Sequence, residues 1–168
     1  MVKLRGFIRS DKLAFALRLL LGAMILVATI PKFTDIEKYS VYMIYSYHVF
    51  PMYPINIARF LGLVAPYLEL LIALGLLSGV LTRLSAAGWG IMSFVYFLTK
   101  LHIIFIQGRI VPCGCFPGVL PDMLVTQSIW IDAVTMPLCA QIILAKGEFL
   151  NARALLPRRW KEKLRPIW

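Results

Sequence analysis

Four long apolar segments constrain the fold of this chain more than any other feature of its sequence. They cover residues 13–30, 57–77, 84–106 and 124–145, and charged residues, proline or glycine mark their ends. Each is close to the ~20 residues that a helix needs to cross a bilayer. None alternates with a period of two residues, and a helix satisfies its own backbone hydrogen bonds in lipid. The sequence therefore predicts four membrane-spanning helices.

The composition supports this interpretation. Hydrophobic residues make up 60% of the chain and charged residues 15%, against about 45–50% and about 25% in soluble domains. Four spans in 168 residues leave no room for a separate soluble domain. We therefore expect one all-α unit, an integral membrane four-helix bundle over residues 13–145, between a basic N-terminal segment, 1–12, and a basic tail, 146–168.

Basic residues indicate how the bundle is oriented. One side would hold Lys3, Arg5, Arg9, Lys12, Arg18, Arg83, Lys146, Arg153, Arg158, Arg159, Lys161, Lys163 and Arg165. Because cytoplasmic loops carry an excess of Lys and Arg, both termini are predicted to be cytoplasmic, with the 31–56 and 107–123 loops outside the cytoplasmic (inner) membrane. Topology and anionic lipid account for the net charge of +10, so no nucleic-acid partner is predicted.

The segment Cys113-Gly114-Cys115 in the second outward loop carries the clearest chemical signal. Cysteines two positions apart close a disulfide ring only with unusual backbone geometry, which glycine makes accessible. A strained, exposed disulfide is comparatively oxidising and exchanges easily. Arg109 and His102 are candidates to favour the thiolate. Three readings stay open: thiol–disulfide exchange, a purely structural disulfide, and capture of a metal ion.

Metal capture has the weakest support from the residues. Zinc takes four ligands, and the two thiols have only His48 and His102 as distant helpers. No metal site is therefore predicted, although a soft two-coordinate ion such as Hg²⁺ or Cu⁺ remains an alternative. The third cysteine, Cys139, falls in the inner half of the fourth segment, and we expect it to be a small buried hydrophobe.

Charged residues within the apolar segments form the second signal, because a charge near the bilayer centre normally has a partner or a function. Glu69 lies close to the middle of the second segment, and Arg18 enters from the cytoplasmic end of the first, so an Arg18–Glu69 pair is predicted. Lys100 and Asp132 are predicted to pair below the cysteine loop. Both pairs could simply orient the helices. Alternatively, Glu69 and Asp132 handle protons, since a desolvated, unpaired carboxylate readily takes one up.

The first outward loop is rich in tyrosine, which suits the lipid headgroup layer. One interpretation is an interfacial half-helix that caps the bundle. The other is an aromatic lid over a quinone or another flat ligand. The residues concerned are Tyr39, Tyr42, Tyr45, Tyr47 and Tyr53.

Several motifs together resemble a known family. They are Arg18-Leu19-Leu20-Leu21-Gly22, Pro31-Lys32-Phe33, Ala65-Pro66-Tyr67-Leu68-Glu69-Leu70 and Cys113-Gly114-Cys115-Phe116. Over residues 13–145 the chain is similar to the methylamine-utilisation MauE family within the broader DoxX-like group. The Cys-Gly-Cys-Phe element is the most specific of these motifs. Pro117 departs from the more usual glycine, which leaves the loop conformation open.

The resemblance implies a four-helix membrane bundle that serves a periplasmic or extracellular client. MauE-type proteins are associated with processing or export of the disulfide-rich methylamine dehydrogenase small subunit, and some DoxX-like relatives act with quinones. The architecture is also similar to that of the vitamin K epoxide reductase group, which couples thiols to quinone. The expectation is a quinone-linked thiol–disulfide oxidoreductase using Cys113 and Cys115. The alternatives are a non-catalytic assembly subunit with a structural disulfide and a soft-metal (Hg or Cu) transporter.

Overall fold

A computed structural model describes residues 11–49, 56–117, 119 and 123–144. Residues 1–10 of the basic N-terminal segment and the whole basic tail, 146–168, lie outside this range, as does Tyr53. The helices are α1 (Asp11–Thr29), α2 (Tyr42–Tyr47), α3 (Ile57–Ser78), α4 (Thr82–Leu101) and α5 (Val125–Leu144). A 3-10 turn, Ile30–Phe33, extends α1, and a π turn, His102–Ile106, extends α4.

Four of these helices, with the turns that extend α1 and α4, are long and apolar enough to cross a membrane. The candidate spans are Leu13–Phe33, Ile57–Ser78, Thr82–Ile106 and Val125–Leu144. The prediction of an all-helical four-span membrane bundle is thus confirmed. Local sequence also fixes one helix end, since the Asn56 side chain accepts a hydrogen bond from the backbone N–H of Arg59 at 3.0 Å and caps the start of α3.

The four long helices run alternately up and down. Helix α1 packs against α3 and α4 against α5, while contacts between α3 and α4 and between α1 and α5 close the bundle. We call the end that carries residues 113–117 the cysteine end. An apolar core drawn from all four helices extends from the middle of the bundle toward the opposite end; its buried members are Leu21, Ile25, Ala73, Leu76, Ala86, Trp89, Cys139 and Ile142. Cys139 is therefore buried in apolar surroundings, as predicted.

The outward-facing sides of the helices carry large apolar side chains. Leu71 on α3, Ile91 on α4 and Trp130 on α5 are each about two-thirds exposed in the isolated chain. Apolar surface of this extent on every long helix has no counterpart in an ordinary soluble domain. It fits contact with lipid chains.

The connection between α1 and α3 is helical over much of its length. After the 3-10 turn it forms a π turn, Glu37–Val41, and then α2. We call residues 37–49 the strap. It crosses α3 closely at Gly62, where an added Cβ would lie 2.7 Å from the Cα of Val41. The absence of a side chain at Gly62 thus lets the strap lie flat over the cysteine end, and the predicted short helix is present there.

Candidate functional site

The half of the bundle nearest the cysteine end contains a cavity of about 100 Å³, which we call the central cavity. All four long helices, the strap and the cysteine loop contribute to its walls. Its charged and sulfur-bearing lining residues are Lys32, Glu69, Lys100, Asp132, Met24, Met43, Cys113 and Cys115. Of the predicted site residues, the structure brings Cys113, Cys115, Glu69, Lys100 and Asp132 together around this one space.

Lys100 and Asp132 form a buried ion pair across α4 and α5. The ammonium of Lys100 lies 2.5 Å from the Asp132 carboxylate and 3.4 Å from the backbone oxygen of Ser128. Both side chains are more than nine-tenths buried. The predicted pair is confirmed. The same ammonium also lies 3.6 Å from the Sγ of Cys115, so one cation faces both a carboxylate and the disulfide.

Glu69 is held by three donors. Lys32 lies 2.7 Å from one carboxylate oxygen and 2.9 Å from the other. The hydroxyls of Thr29 and Tyr96 each donate to the carboxylate at 3.1 Å. Because these donors come from the end of α1 and from α4, Glu69 links three of the four long helices.

The predicted Arg18–Glu69 pair is wrong, because Lys32 occupies the position expected for Arg18. The two cationic residues are fourteen positions apart, about 21 Å of helix rise. Arg18 is buried in the opposite half of the bundle, where its guanidinium lies 5.0 Å from the centre of the Phe15 ring. The sequence predicts that the first span ends at residue 30, just before Pro31 and Lys32. The 3-10 turn instead keeps Lys32 in the bundle, beside Glu69.

Cys113 and Cys115 form a disulfide with their Cα atoms 5.3 Å apart. The backbone on either side is tied to the start of α5, since Cys113 N donates to Met123 O at 2.8 Å and Val125 N to Val111 O at 3.1 Å. The disulfide therefore lies on a loop with fixed ends. Its two sulfurs differ in environment, because Cys113 is only 3% exposed whereas Cys115 is half-buried.

The strap holds the cysteine loop in place. The phenol of Tyr47 donates to the backbone oxygen of Cys113. Gly114 has a φ of +62°, and an added Cβ there would lie 2.6 Å from Cγ of Met43. Glycine is thus required twice over, for its backbone conformation and for the contact with the strap.

Burial raises the pKa of Tyr47 well above its ordinary value, and the negative charge of Asp132 adds to the effect. The phenol consequently stays protonated at physiological pH. It remains a hydrogen-bond donor to the cysteine loop under all ordinary conditions.

Arg109 and His102 do not lie where their predicted role requires. The Arg109 guanidinium is 3.1 Å from Nδ1 of His48 and 3.4 Å from the backbone oxygen of Ser46, so it fastens the strap. His102 begins the π turn after α4. Neither lines the central cavity. The cation next to the disulfide is Lys100.

Three residues that line the central cavity were not predicted as site residues from the sequence: Lys32, Tyr96 and Trp89. A signal existed for two of them, since Trp89, Ser93, Tyr96 and Lys100 follow the i, i+4, i+7, i+11 spacing of one helix face. Trp89 lines the cavity and is 8% exposed, and its indole N–H has no hydrogen-bond partner in the described part of the chain. A buried unpaired donor of this kind calls for a water or a ligand oxygen.

The side chains that could bind a metal ion do not support the alternative of a soft-metal transporter. Among the described residues, no three His, Cys, Asp or Glu side chains cluster closely enough to hold an ion. The two thiols are occupied by each other, and the two carboxylates by lysines.

A comparison with protein families gives a match to the family described as methylamine utilisation protein MauE, over residues 10–145. The chain belongs to the MauE family. It is accordingly a multi-pass membrane protein involved in methylamine utilisation. Neither the comparison with curated proteins nor that with solved structures found a match.

Proposed function

We propose that this MauE protein is a membrane thiol–disulfide redox protein whose Cys113–Cys115 pair exchanges electrons with the thiols of a client. The observation that carries the proposal is the position of the disulfide. It forms a wall of the central cavity, where the ammonium of Lys100 lies 3.6 Å from a cysteine sulfur.

Reactive cysteines combine a nearby positive charge with partial exposure, whereas structural cysteines are buried and inert. Cys115 meets both conditions. Cys139 is the contrasting case, since it is 1% exposed and packed among apolar side chains of the core. The chain therefore contains one cysteine site arranged for exchange and one arranged for packing.

The family and the charge pattern support the client and the side of the membrane that we propose. The cysteine end faces away from the cytoplasm in the orientation favoured by the basic residues of the sequence. Disulfides form and persist in that compartment. A disulfide-rich periplasmic or extracellular protein, such as the methylamine dehydrogenase small subunit, is the client that we propose.

A membrane quinone is the proposed electron carrier. Converting a dithiol and a quinone into a disulfide and a quinol moves two electrons and two protons. The central cavity suits a neutral ligand, because its two lysines are matched by Glu69 and Asp132. Trp89 supplies an unpaired donor for a carbonyl oxygen. Glu69 and Asp132 are the groups that we propose to handle the protons.

The proposal is tested by following the pair in cells. Acid quenching followed by a mass-adding alkylating reagent separates reduced from oxidised protein. We expect the reduced fraction to rise when the client is expressed and when quinone synthesis is blocked. Cells with Cys113→Ser should accumulate client with unpaired thiols, whereas Cys139→Ser, the matched control, should not. A pair that stays fully oxidised in every condition would overturn the proposal.

One observation favours a second function, that of an assembly subunit with a structural disulfide. Cys113 is almost completely buried and its backbone is tied by both Met123 and Tyr47. In that case client binding would survive Cys113→Ser, and the client disulfides would form normally.

A further inference from the structure

We infer that the two cysteines have different roles: Cys115 is the sulfur that forms the mixed disulfide, with Lys100 holding it as a thiolate after reduction, and Cys113 is the buried sulfur that resolves it. The inference rests on the proposed function and assigns a residue to each step. Lys100 is thereby assigned as the group that activates the exchanging sulfur.

The two sulfurs differ first in how easily an incoming sulfur can reach them. Cys113 is 3% exposed, lies under the strap, and has both its N–H and its C=O engaged in hydrogen bonds. Cys115 is half-buried, and no strap residue bonds to it. An incoming sulfur must approach in line with the S–S bond, so it reaches Cys115 with less disturbance of the loop.

The charged groups around the cavity also favour Cys115 as the exchanging sulfur. The charged groups that face the cavity are Lys32, Glu69, Lys100 and Asp132, and the ionisable phenols are Tyr39, Tyr47 and Tyr96. Glu69 already binds Lys32 and Tyr96, and Tyr47 binds the Cys113 backbone. Lys100 is therefore the cation placed to bond a thiolate, and it lies 3.6 Å from the Sγ of Cys115.

Asp132 determines how strongly Lys100 stabilises the Cys115 thiolate. With the disulfide closed, the Lys100 ammonium is bonded to Asp132 at 2.5 Å. Once the disulfide opens, the Cys115 thiolate and the Asp132 carboxylate compete for one cation. Removing Lys100 and removing Asp132 should therefore change the reactivity of Cys115 in opposite directions.

The exchange balances without another reactant. The Cys115 thiolate attacks a sulfur of the partner disulfide, an S–S bond forms between them, and one partner thiolate leaves. The released partner thiolate then takes the proton of Cys113, and the Cys113 thiolate attacks the Sγ of Cys115, which closes the Cys113–Cys115 bond and releases the second partner thiolate. The protein dithiol is oxidised and the partner disulfide is reduced. The reverse sequence oxidises a partner dithiol.

Single-thiol variants of the full-length protein test the assignment, with oxidised glutathione as the probe. In a Cys139→Ser background, Cys113→Ser retains Cys115 and Cys115→Ser retains Cys113. Cys115 should form the glutathione mixed disulfide about tenfold faster at neutral pH, as expected for a more exposed thiol that is more fully ionised. Equal rates, or a faster reaction at Cys113, would overturn the inference.

The role of Lys100 is tested by the pH dependence of the Cys115 reaction. Lys100→Met should raise the midpoint of the rate–pH curve by about one pH unit, and Asp132→Asn should lower it. Because Lys100→Met alone leaves Asp132 buried without a partner, the double variant Lys100→Met/Asp132→Asn provides a charge-balanced protein that should behave like Lys100→Met. A purely structural pair would shift both single variants in the same direction, which contradicts the inference.

Arg109→Gln and Arg59→Met serve as controls, since the first cation is bonded to His48 of the strap and the second forms an exposed pair with Glu37. Neither should move the Cys115 midpoint. These measurements use purified protein without client or quinone. A protein whose disulfide does not cycle in cells, yet shows the Lys100 effect, would disprove the proposed function and leave this inference standing.

Discussion

Lys32 and Glu69 form an ion pair at 2.7 Å that joins the end of α1 to the middle of α3. Both residues are buried, and the carboxylate also binds Thr29 and Tyr96. The pair fixes the position of the strap, because the strap begins a few residues after Lys32. Through its bond to Lys32, Glu69 thus links the wall of the central cavity to the strap that lies over the cysteine loop.

Lys32→Met should destabilise the protein strongly, since it leaves Glu69 buried without its cation. Removing one partner of a buried pair costs ~3–5 kcal/mol. Thermal unfolding in detergent measures the effect, and the double variant Lys32→Met/Glu69→Gln should recover most of the loss. Arg59→Met is the matched control, because the Arg59–Glu37 pair is exposed and worth about 0–1 kcal/mol. Equal effects of Lys32→Met and Arg59→Met would show that burial of the Lys32–Glu69 pair has no consequence.

Gly114→Ala should distort the cysteine loop through its collision with Met43. Gly108 provides the comparison, because it has the same φ of +62° but nothing within 4 Å of an added Cβ. Both alanine variants bear the cost of a left-handed backbone, about 1–2 kcal/mol. Unfolding measurements should show the greater loss for Gly114→Ala. Met43→Ala should reduce that excess in the double variant, and an absence of coupling would rule out the proposed contact.

Tyr47→Phe should loosen the cysteine loop, since it removes the donor to the Cys113 carbonyl. Loss of a hydrogen bond of ~1 kcal/mol corresponds to about a fivefold change in an equilibrium. The rate at which a mild dithiol reduces the disulfide should rise by up to that factor. Tyr42, which is 73% exposed on the same strap, gives the control variant Tyr42→Phe. An unchanged reduction rate in Tyr47→Phe would mean that this bond does not restrain the loop.

The orientation can be tested with a thiol reagent that does not cross membranes. After mild reduction of intact spheroplasts, the reagent should label Cys115 from outside in the Cys113→Ser variant. In inverted vesicles the same cysteine should be protected. Labelling in inverted vesicles alone would place the cysteine end in the cytoplasm and contradict the orientation favoured by the basic residues.

The features that could be predicted from the sequence are those whose residues allow a single structural interpretation. Apolar segments of about 20 residues specify membrane helices. Helix α3 ends, and α5 begins, within one residue of the segments predicted from the sequence. The Lys100–Asp132 pair could be predicted because both charges lie on regular helices at similar depth. The cysteine pair could be recognised because no packing argument requires Cys-Gly-Cys.

The failures have a common physical origin, which is irregular backbone. Depth along a regular helix can be counted, but the 3-10 turn that carries Lys32 to Glu69 has no clear sequence signature beyond Pro31. The strap likewise turns Arg109 away from the thiols and toward His48. Which cation faces which anion at such places depends on tertiary packing.

A redox cycle with purified protein tests the central claim most directly. Wild-type protein in lipid nanodiscs is first reduced by a dithiol peptide and then mixed with a short-chain quinone, while the Cys113–Cys115 state is followed by acid quenching and alkylation. The account predicts full reduction, followed by reoxidation with one quinol formed per disulfide. A pair that the dithiol peptide fails to reduce, or that stays reduced in the presence of quinone, would contradict it.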